Sequence, residues 1–511
     1  MNQQPGKDAK RVATTNTINR RHLIMNLMDP AVWDKKLFTG TWSRGNGKEV
    51  SVREPATGGS LGTIGSASAA DIDLACRNAA AAQAAWAETP FEERAGVLRR
   101  AGALFEQHSD DIHAWLIREA GSIPPKAQVE THTAAQECYE AAALPSRPQG
   151  DVLAAADPER LSFSCRVPVG VVGVIAPFNF PLILAIRAVA PALALGNAVV
   201  LKPDLRTAVS GGVSIARIFE EAGLPAGVLQ MLPGGAESGA ALVAHPAVRV
   251  IAFTGSTAAG RHVGAAAAQH LKRAHLELGG NNAIIVLEDA DVDAAASVGA
   301  WGSYLHQGQI CMAAGRHIVH ESIADEYVAK LSEKANRLTV GDPNTEQVAL
   351  GPIIDEKQRD NIHRLVTESV AAGATITAGG DFNGQFYRPT VLDHVSRDTP
   401  AFCNEVFGPV APVIRFSTVE EAIEIAKDTG YGLALSIMSS DALKAWGIAR
   451  KIPSGLVHVN DQTVADEAHI PFGGVGNSGN GGRIGGAEAN LESFTESQWV
   501  TMQSKPAQYP F

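Results

Sequence analysis

The hydrophobic pattern divides the chain into a helical stretch and a stretch in which strands and helices alternate. From Ala69 to about Ala143, apolar residues recur at helical spacing, as in DIDLACRNAAAAQAAWAE and FEERAGVLRRAGALFEQHSDDIHAWLIREAG, which predicts helices. From Val169, apolar strand-like runs alternate with helical ones: GVVGVIA, LILAIRAVAPALALG, AVVLKP, VSIARIFEEAG, GVLQMLP, VRVIAFTG and STAAGRHVGAAAAQHL. Strand followed by helix, repeated, predicts a doubly wound parallel sheet with helices on both faces.

A second α/β unit is predicted between about Asn281 and Gly476. AIIVLE, RHIVHES and GLVHVN have the pattern of strands, while IADEYVAKLSEKANRL and EEAIEIAKD have that of helices. The final segment, NLESFTESQWVTMQSKPAQYPF, is half polar and rich in aromatic residues. An apolar tail after a completed core predicts an edge strand in an oligomer.

Composition places the chain among ordinary globular proteins. Its 511 residues exceed what one core holds, and a prior of about 150 residues per domain suggests two to four domains. A net charge of −11 offers no overall attraction for nucleic acid or anionic membranes, so neither is an expected partner. The five cysteines are widely spread with no Cys-x-x-Cys pair, which favours a reducing compartment and a cytoplasmic protein.

Two segments resemble membrane or targeting signals, and both have a better interpretation. Residues 167–186 carry no charge, but Pro177, Asn179 and Pro181 would interrupt a membrane helix, so strand, loop and helix are expected. The basic N-terminus contains Arg20-Arg21, yet the apolar stretch after it is too short for a signal peptide. Residues 1–27 are therefore interpreted as a disordered extension, or as the product of a start codon placed too far upstream.

Three short motifs lie where strands of the first unit end. FTGSTAAG contains Gly255, Ser256 and Gly260 between a strand and a helix, a setting in which backbone N–H groups bind phosphate, although its spacing by itself is equally typical of a plain turn. VVLKPD ends a strand on Lys202, which is suited to ribose hydroxyls or a phosphate, or else is a solvated surface lysine. LELGGNN places Glu277 among apolar neighbours, where a raised pKa would suit a general base.

The stretch HQGQICMAAGRHIVH contains one cysteine and three histidines. A thiolate nucleophile at Cys311 is one interpretation, since cysteine needs only activation by its surroundings. A zinc site built from His306, Cys311, His317 and His320 is disfavoured, because the spacing matches no common structural site. Strand alternation also places His317 and His320 on opposite faces, so no metal is expected.

Seven ordered motifs give the chain a family resemblance. APFNFP, LKPD, FTGSTAAG, LELGGNN, GQIC, NEVFGPV and PFGGVGNSGNG, between Ala176 and Gly481, occur in the order and spacing of the aldehyde dehydrogenase superfamily. The similarity extends over nearly the whole chain from about Met28. Within the superfamily, HQGQICMAAGRHIVH, KPD and PAQYPF look most like bacterial benzaldehyde and vanillin dehydrogenases, which implies an aromatic aldehyde substrate.

The resemblance implies an α/β architecture with a Rossmann-type parallel-sheet cofactor domain, a second α/β catalytic domain and a small oligomerisation element. Residues 28–143 and 166–278 would bind NAD(P), and residues 279–478 would form the catalytic domain. Residues 144–165 and 488–511 would supply the strands that join a homodimer or homotetramer.

The resemblance also assigns roles to residues. Cys311 matches the nucleophile that converts the aldehyde to a thiohemiacetal, and Asn179 matches the amide that forms the oxyanion hole with the Cys311 backbone N–H. Glu277 matches the base that activates water to hydrolyse the thioester. Phe472 and Tyr304 are candidates for the aldehyde pocket. The implied cofactor-binding positions are Ala176, Pro177, Phe178, Lys202, Gly255, Ser256, Gly260, Leu278, Gly279, Glu405 and Phe407.

Two positions depart from the pattern of the family. Leu205 stands where NAD-specific relatives have a glutamate that bonds the ribose 2′-hydroxyl, so NADP is possible beside the expected NAD. Ala188 stands where many relatives have a lysine proposed to relay protons, which leaves the proton exit route unassigned. Three other readings stay open: a CoA-acylating enzyme, a non-catalytic relative and a cysteine hydrolase.

Overall fold

Residues 26–511 are described by the structure, which is a computed structural model of the chain. Most of the predicted N-terminal extension, residues 1–25, lies outside this range. Leu27 is already buried, and its backbone N–H donates to Asp111 at 3.1 Å.

Helices cover the regions in which helical spacing was found. The predicted helix over residues 91–121 is two helices, because the backbone leaves helical geometry at His108. The helices are α1 (Pro30–Trp33), α2 (Ala69–Glu88), α3 (Phe91–Gln107), α4 (Ser109–Ala120), α5 (Pro124–Ala143), α6 (Ile183–Ala194), α7 (Ser214–Glu221), α8 (Ala236–Ala244), α9 (Thr257–Gln269), α10 (Val292–Tyr304), α11 (Glu321–Arg337), α12 (Glu356–Ala371), α13 (Pro400–Cys403), α14 (Val419–Lys427), α15 (Ala442–Ala449) and α16 (Ala487–Phe494).

Strands form two large sheets and three small ones. They are β1 (Leu37–Phe38), β2 (Trp42–Ser43), β3 (Glu49–Arg53), β4 (Ser60–Gly65), β5 (Val152–Leu153), β6 (Arg160–Pro168), β7 (Val171–Ile175), β8 (Ala198–Lys202), β9 (Leu229–Met231), β10 (Val248–Thr254), β11 (Arg273–Glu277), β12 (Asn282–Val286), β13 (Ala314–His320), β14 (Thr375–Ala378), β15 (Phe382–Asn383), β16 (Phe386–Tyr387), β17 (Thr390–Asp393), β18 (Val410–Phe416), β19 (Ala434–Met438), β20 (Leu456–Val459) and β21 (Thr495–Gln503).

The first large sheet has the order β11-β10-β7-β8-β9-β1-β2, and its first five strands are parallel. Strand β7 shows how both faces are covered. Val172 and Val174 share a core with residues of α3, α5, α6 and α7, whereas Val171 and Ile175 share one with α2 and α8. The doubly wound α/β prediction is therefore confirmed, because alternate residues of one strand enter two different helix layers.

The second large sheet has the order β14-β17-β18-β13-β12-β19-β20. Its neighbours are parallel except for β14, which runs antiparallel to β17. Ile285 packs with α12, α14 and α15 on one face, and Ile284 with α10 and α11 on the other. This is the predicted second α/β unit.

A three-stranded antiparallel sheet joins β5, β6 and the C-terminal β21. The pairing of β6 with β21 extends from Pro168 opposite Thr495 to Arg160 opposite Gln503. The tail predicted as a strand thus begins with the end of α16 and becomes a strand only at Thr495. Its role in an oligomer stays a prediction.

The uncharged segment 167–186 contains the end of β6, all of β7, a loop and the start of α6, as predicted. Within residues 26–511, no helix combines the length and the apolar character needed to cross a membrane.

Candidate active site

The predicted site residues of the first unit meet at one edge of its sheet. Strands β7, β8, β10 and β11 are parallel neighbours, so their carboxyl ends lie together. Lys202 ends β8, Thr254 ends β10 beside Glu277 of β11, and the loop after β7 carries Asn179. Ligands of open α/β sheets bind at this edge.

The turn after β10 leaves a helix N-terminus open at the same edge. Ser256 caps α9, since its side chain accepts from the Ala259 N–H at 3.3 Å. A Cβ at Gly260 would lie 2.2 Å from Leu278 Cδ2, so only glycine allows α9 to pack this closely. Backbone N–H groups and the helix dipole here favour a phosphate.

Lys202 is a buried cation at this edge. Its side chain is 8% exposed, and its Nζ donates only to the Pro203 carbonyl, at 3.3 Å, among the described residues. Burial lowers the pKa of Lys202 below its ordinary value. A buried ammonium with spare donors is suited to a polar ligand, which weakens the alternative of a solvated surface lysine.

Glu405 reaches the cleft from the second unit. Its Oε1 accepts from the Gly280 N–H at 2.9 Å, and burial raises the pKa of its carboxyl to about 7. A Cβ at Gly279 would lie 2.1 Å from Glu405 Oε2, so the double glycine makes room for the carboxylate. Phe407 has a left-handed backbone, with φ of 51°, and its ring meets Phe178 edge-on at 5.9 Å.

The loop that carries Cys311 is held in an unusual backbone shape. Between α10 and β13, His306, Gln307 and Gly308 have φ values of 47°, 56° and 65°. A Cβ at Gly308 would lie 2.1 Å from the Gly408 carbonyl oxygen. Gln307 anchors the turn, because its Nε2 donates to the carbonyls of Gly121 at 3.0 Å and Pro352 at 2.9 Å. Such strain persists only where the surroundings fix it, which is typical of functional sites.

Asn179 connects the two units at the nucleophile loop. It is buried, and its side-chain Nδ2 donates to the carbonyl of Gln309, two residues before Cys311, at 2.8 Å. An amide NH₂ has two donors, so the second N–H remains for another acceptor beside Cys311. The arrangement suits an oxyanion that forms on a molecule attacked by the thiol.

Glu277 is buried with unused hydrogen-bonding capacity. Within residues 26–511, neither carboxylate oxygen accepts a hydrogen bond of ordinary distance and angle. Burial raises the pKa of Glu277 well above its ordinary value, and the charges of Arg483 and Arg187 and the Gly474 N–H lower it by less. Beside it lies a cavity of about 20 Å³, lined also by Arg187, Ala188 and Phe472, with room for a water molecule. A buried base next to such a space can activate water.

Cys311 has a half-buried thiol near two carboxylates. Burial raises its pKa, and the charges of Glu405 and Glu277 raise it further, while the Met312 N–H acts in the opposite direction. The thiol is therefore the resting form in this arrangement. Formation of the thiolate requires a base or an added positive charge.

Sequence reasoning missed a buried ionic cluster beside Glu277. Arg187 Nε donates to Glu137 at 2.7 Å, and its Nη1 pairs with Asp466 at 2.9 Å. The guanidinium also lies 5.2 Å from the centre of the Phe472 ring. The Arg187 charge lowers the pKa of Glu277, although less than burial raises it. A single charge within the apolar helix LILAIRAVAPALA is the signal that could have revealed it.

Tyr304 does not face this site. It is buried in the core of α10 and α11, and its hydroxyl donates to the Thr390 carbonyl at 3.3 Å. Its proposed contact with substrate is therefore not supported, because the end of α10 directs the ring into the second unit. Phe472, by contrast, lines the cavity beside Glu277.

The three histidines near Cys311 in the sequence have separate partners. His317 contacts Ser303 and Tyr327, each at 2.7 Å, while His320 contacts Ser322 at 2.8 Å. His306 packs edge-on against Phe180, with ring centres 5.6 Å apart. In the described range, no three His, Cys, Asp or Glu side chains group as metal ligands would.

Comparison with known proteins places the chain in a family. Residues 42–500 match the Aldehyde dehydrogenase family. The vanillin dehydrogenase of an Amycolatopsis species is 61% identical over 95% of this chain and 100% of its own length. The benzaldehyde dehydrogenase [NAD(+)] of Pseudomonas putida is 49% identical over 94% of this chain and 98% of its own length.

A solved structure agrees with these matches. Salicylaldehyde dehydrogenase from Pseudomonas putida G7, in complex with salicylaldehyde, superimposes with a TM-score of 0.89 and 36% identity, covering 93% of this chain and 99% of that protein. The chain belongs to the aldehyde dehydrogenase family.

Proposed function

We propose that this enzyme oxidises an aromatic aldehyde to its carboxylic acid with NAD, through a thiohemiacetal and a thioester on Cys311. The observation that carries the proposal is the meeting of three groups at one cleft. They are a thiol on a fixed loop, an amide with a spare N–H beside it and a buried, unpaired carboxyl. Together these are a nucleophile, an oxyanion donor and a base for hydrolysis.

The residues divide the chemistry between them. The Cys311 thiol gives up its proton to solvent as its sulfur attacks the carbonyl carbon. The C=O double bond opens, and the oxygen gains negative charge that the free Asn179 N–H and the Cys311 backbone N–H stabilise. The thiohemiacetal carbon then loses its hydrogen as a hydride and its oxygen re-forms the C=O of a thioester; the nicotinamide, when bound, would supply the hydride acceptor and a positive charge. Glu277 removes a proton from the water that attacks the thioester carbon, and the C–S bond then breaks to release the acid and the Cys311 thiolate.

The cleft fits a dinucleotide by several observations. Lys202 is a buried ammonium with spare donors, and the N-terminus of α9, capped by Ser256, presents backbone N–H groups. Glu405, held by the Gly280 N–H, would accept from ribose hydroxyls. Ala176 and Pro177 continue β7 into the cleft, where Phe178 packs against Phe407. These residues would hold the two nucleotides at the edge of the first sheet.

The ion pairs of Arg206 favour NAD over NADP as the cofactor. Its guanidinium pairs with Asp204 and Asp355, each at 2.9 Å, and lies 4.1 Å from the centre of the Phe178 ring. Two carboxylates already neutralise the charge that would attract a 2′-phosphate. The name of the benzaldehyde dehydrogenase [NAD(+)] relative agrees with this assignment.

An aromatic substrate is supported by the relatives and by the lining of the site. Vanillin, benzaldehyde and salicylaldehyde each appear in the name of a similar protein. In this chain, Phe472 and Phe180 belong to the apolar cluster that surrounds Cys311, together with Ile310 and Met312. Aromatic rings in such a cluster favour a planar apolar ligand.

A substrate screen tests the proposal directly. NADH formation is measured with vanillin, benzaldehyde, cinnamaldehyde and aliphatic aldehydes, each with NAD and with NADP. We expect the highest kcat/KM for vanillin or benzaldehyde with NAD, and none for Cys311→Ala, which should still bind NAD. Higher kcat/KM with aliphatic aldehydes, or formation of acyl-CoA on adding CoA, would overturn the assignment.

We also propose that the protein is a cytoplasmic homo-oligomer joined through the sheet of β5, β6 and β21. All five thiols are free, which agrees with a reducing compartment. Large apolar side chains project from this sheet into solvent, including Val152, which is 83% exposed, and Trp499, which is 72% exposed. Light scattering of purified protein distinguishes dimer from tetramer, and a Trp499→Lys variant should dissociate whichever forms. A monomeric wild-type protein would contradict the proposal.

A further inference from the structure

A buried ion pair lies beneath the oxyanion amide and has no role in the chemistry above. Lys126 and Glu130, one turn apart on α5, are 3% and 0% exposed and contact each other directly. A buried pair rarely adds stability relative to apolar residues of similar volume, because removing two charges from water costs several kcal/mol per ion. Its presence therefore calls for an explanation other than stability.

The pair holds the segment that carries Asn179 at two points. Lys126 Nζ donates to the backbone carbonyl of Asn179 at 2.8 Å. Glu130 Oε1 accepts from the backbone N–H groups of Leu182 at 2.8 Å and Ile183 at 3.4 Å. In the described part of the chain, no side chain at the start of α6 caps that helix, so Glu130 provides the cap. One face of α5 thus fixes the backbone at the Asn179 carbonyl and at the start of α6.

The same lysine reaches towards the nucleophile loop. Its ammonium lies 4.3 Å from the centre of the Phe180 ring, and Phe180 meets the buried His306 ring edge-on. His306 begins the left-handed turn that leads to Cys311. Burial, followed by the Lys126 charge, holds the pKa of His306 well below its ordinary value, so the ring stays neutral against the ammonium. Lys126 therefore contacts the backbone of Asn179 directly, and it contacts the loop that carries Cys311 through the Phe180 ring.

We propose that Lys126 and Glu130 are positioning residues, which hold Asn179 so that one N–H bonds Gln309 and the other faces the oxygen of the attacked aldehyde. The inference rests on the proposed function, in which Asn179 stabilises that oxygen. Misplacement by about 1 Å can cost on the order of 10²-fold in rate, so the ion pair affects turnover without touching substrate.

A double-mutant cycle tests this coupling. Asn179→Ala should lower kcat by about 10²–10³-fold, the usual loss for one oxyanion donor. Lys126→Met should lower kcat by about 10–100-fold, with the dissociation constant of NAD and the rate of Cys311 alkylation within about twofold of wild type. In the Asn179→Ala background, Lys126→Met should change kcat by less than about twofold, because residues that act as a unit are not additive.

Two further variants separate positioning from folding. The double variant Lys126→Met/Glu130→Gln leaves no unpaired buried charge and keeps an acceptor for the α6 cap. It should therefore fold, and its kcat should still fall below that of wild type. Asp71→Asn, at another buried carboxylate that accepts from backbone N–H groups, should lower Tm but keep kcat. Wild-type kcat in either Lys126 variant, or additive losses in the cycle, would overturn the inference. An Asn179→Ala variant with wild-type kcat would overturn the oxyanion role itself.

Discussion

Gly279→Ala should weaken cofactor binding while leaving the fold almost unchanged. The added Cβ would lie 2.1 Å from Glu405 Oε2, so the carboxylate must move by about 1.3 Å to restore an ordinary contact of 3.4 Å. The obstacle is the end of a flexible side chain, which can rotate away cheaply. That rotation breaks the 2.9 Å bond from the Gly280 N–H and removes Glu405 from the ribose position.

The expected increase in the KM for NAD follows from the loss of the hydrogen bond that Glu405 is proposed to make with a ribose hydroxyl. A hydrogen bond to a charged group contributes about 1.5–3 kcal/mol, which corresponds to an increase of about 10–100-fold in the KM for NAD. Steady-state kinetics with varied NAD measure the effect, and thermal unfolding checks that Tm falls by no more than about 2 °C, which in a chain of this length corresponds to roughly 1–2 kcal/mol.

Two comparisons decide whether Glu405 is responsible. Glu405→Ala should raise the KM for NAD similarly, and adding Gly279→Ala to it should have little further effect. Gly447→Ala, on α15 where no atom lies within 4 Å of the new Cβ, should leave the KM unchanged. An unchanged KM in Gly279→Ala, or additive effects of the two substitutions, would refute the reasoning.

The remaining predictions concern proton transfer. Burial raises the pKa of Glu277, so its base form appears only as pH rises through that value; kcat with saturating NAD should rise from acid towards alkaline pH, and a fall would contradict this. Arg187→Met removes a charge that lowers the Glu277 pKa and should shift the acid limb of the kcat profile to higher pH. Asp466→Asn removes a charge that raises the pKa of Glu277 and should shift the acid limb of the kcat profile to lower pH. If both variants shifted the limb in the same direction, the charges of Arg187 and Asp466 would not control the Glu277 pKa.

Local patterns in the sequence predicted the elements of the fold well. The alternation from Val169 to Leu271 corresponds to successive strands and helices because each element buries one face, which leaves a periodic trace. The break at His108 escaped notice, since apolar spacing continues through it into α4. Family motifs predicted roles for Cys311, Asn179 and Glu277, and the fold brings these three residues to one cleft.

Contacts between distant residues could not be predicted in the same way. Asn179 bonds Gln309 across 130 positions, and Lys126 bonds Asn179 across 53. Nothing in the local sequence records such pairings, because they depend on how elements pack. The packing of Tyr304 into the core of α10 and α11 is a related case, since spacing along the chain does not give the direction of a side chain.

The most direct test of the mechanism is a pre-steady-state measurement on Glu277→Gln. Mixed with NAD and vanillin or benzaldehyde, this variant should release a rapid burst of about one NADH per active site and then turn over about 10²–10⁴-fold more slowly than wild type. Mass spectrometry of the quenched protein should find the acyl group on the peptide that contains Cys311. Turnover at the wild-type rate, or a burst without an acyl group on Cys311, would contradict the roles assigned to both residues.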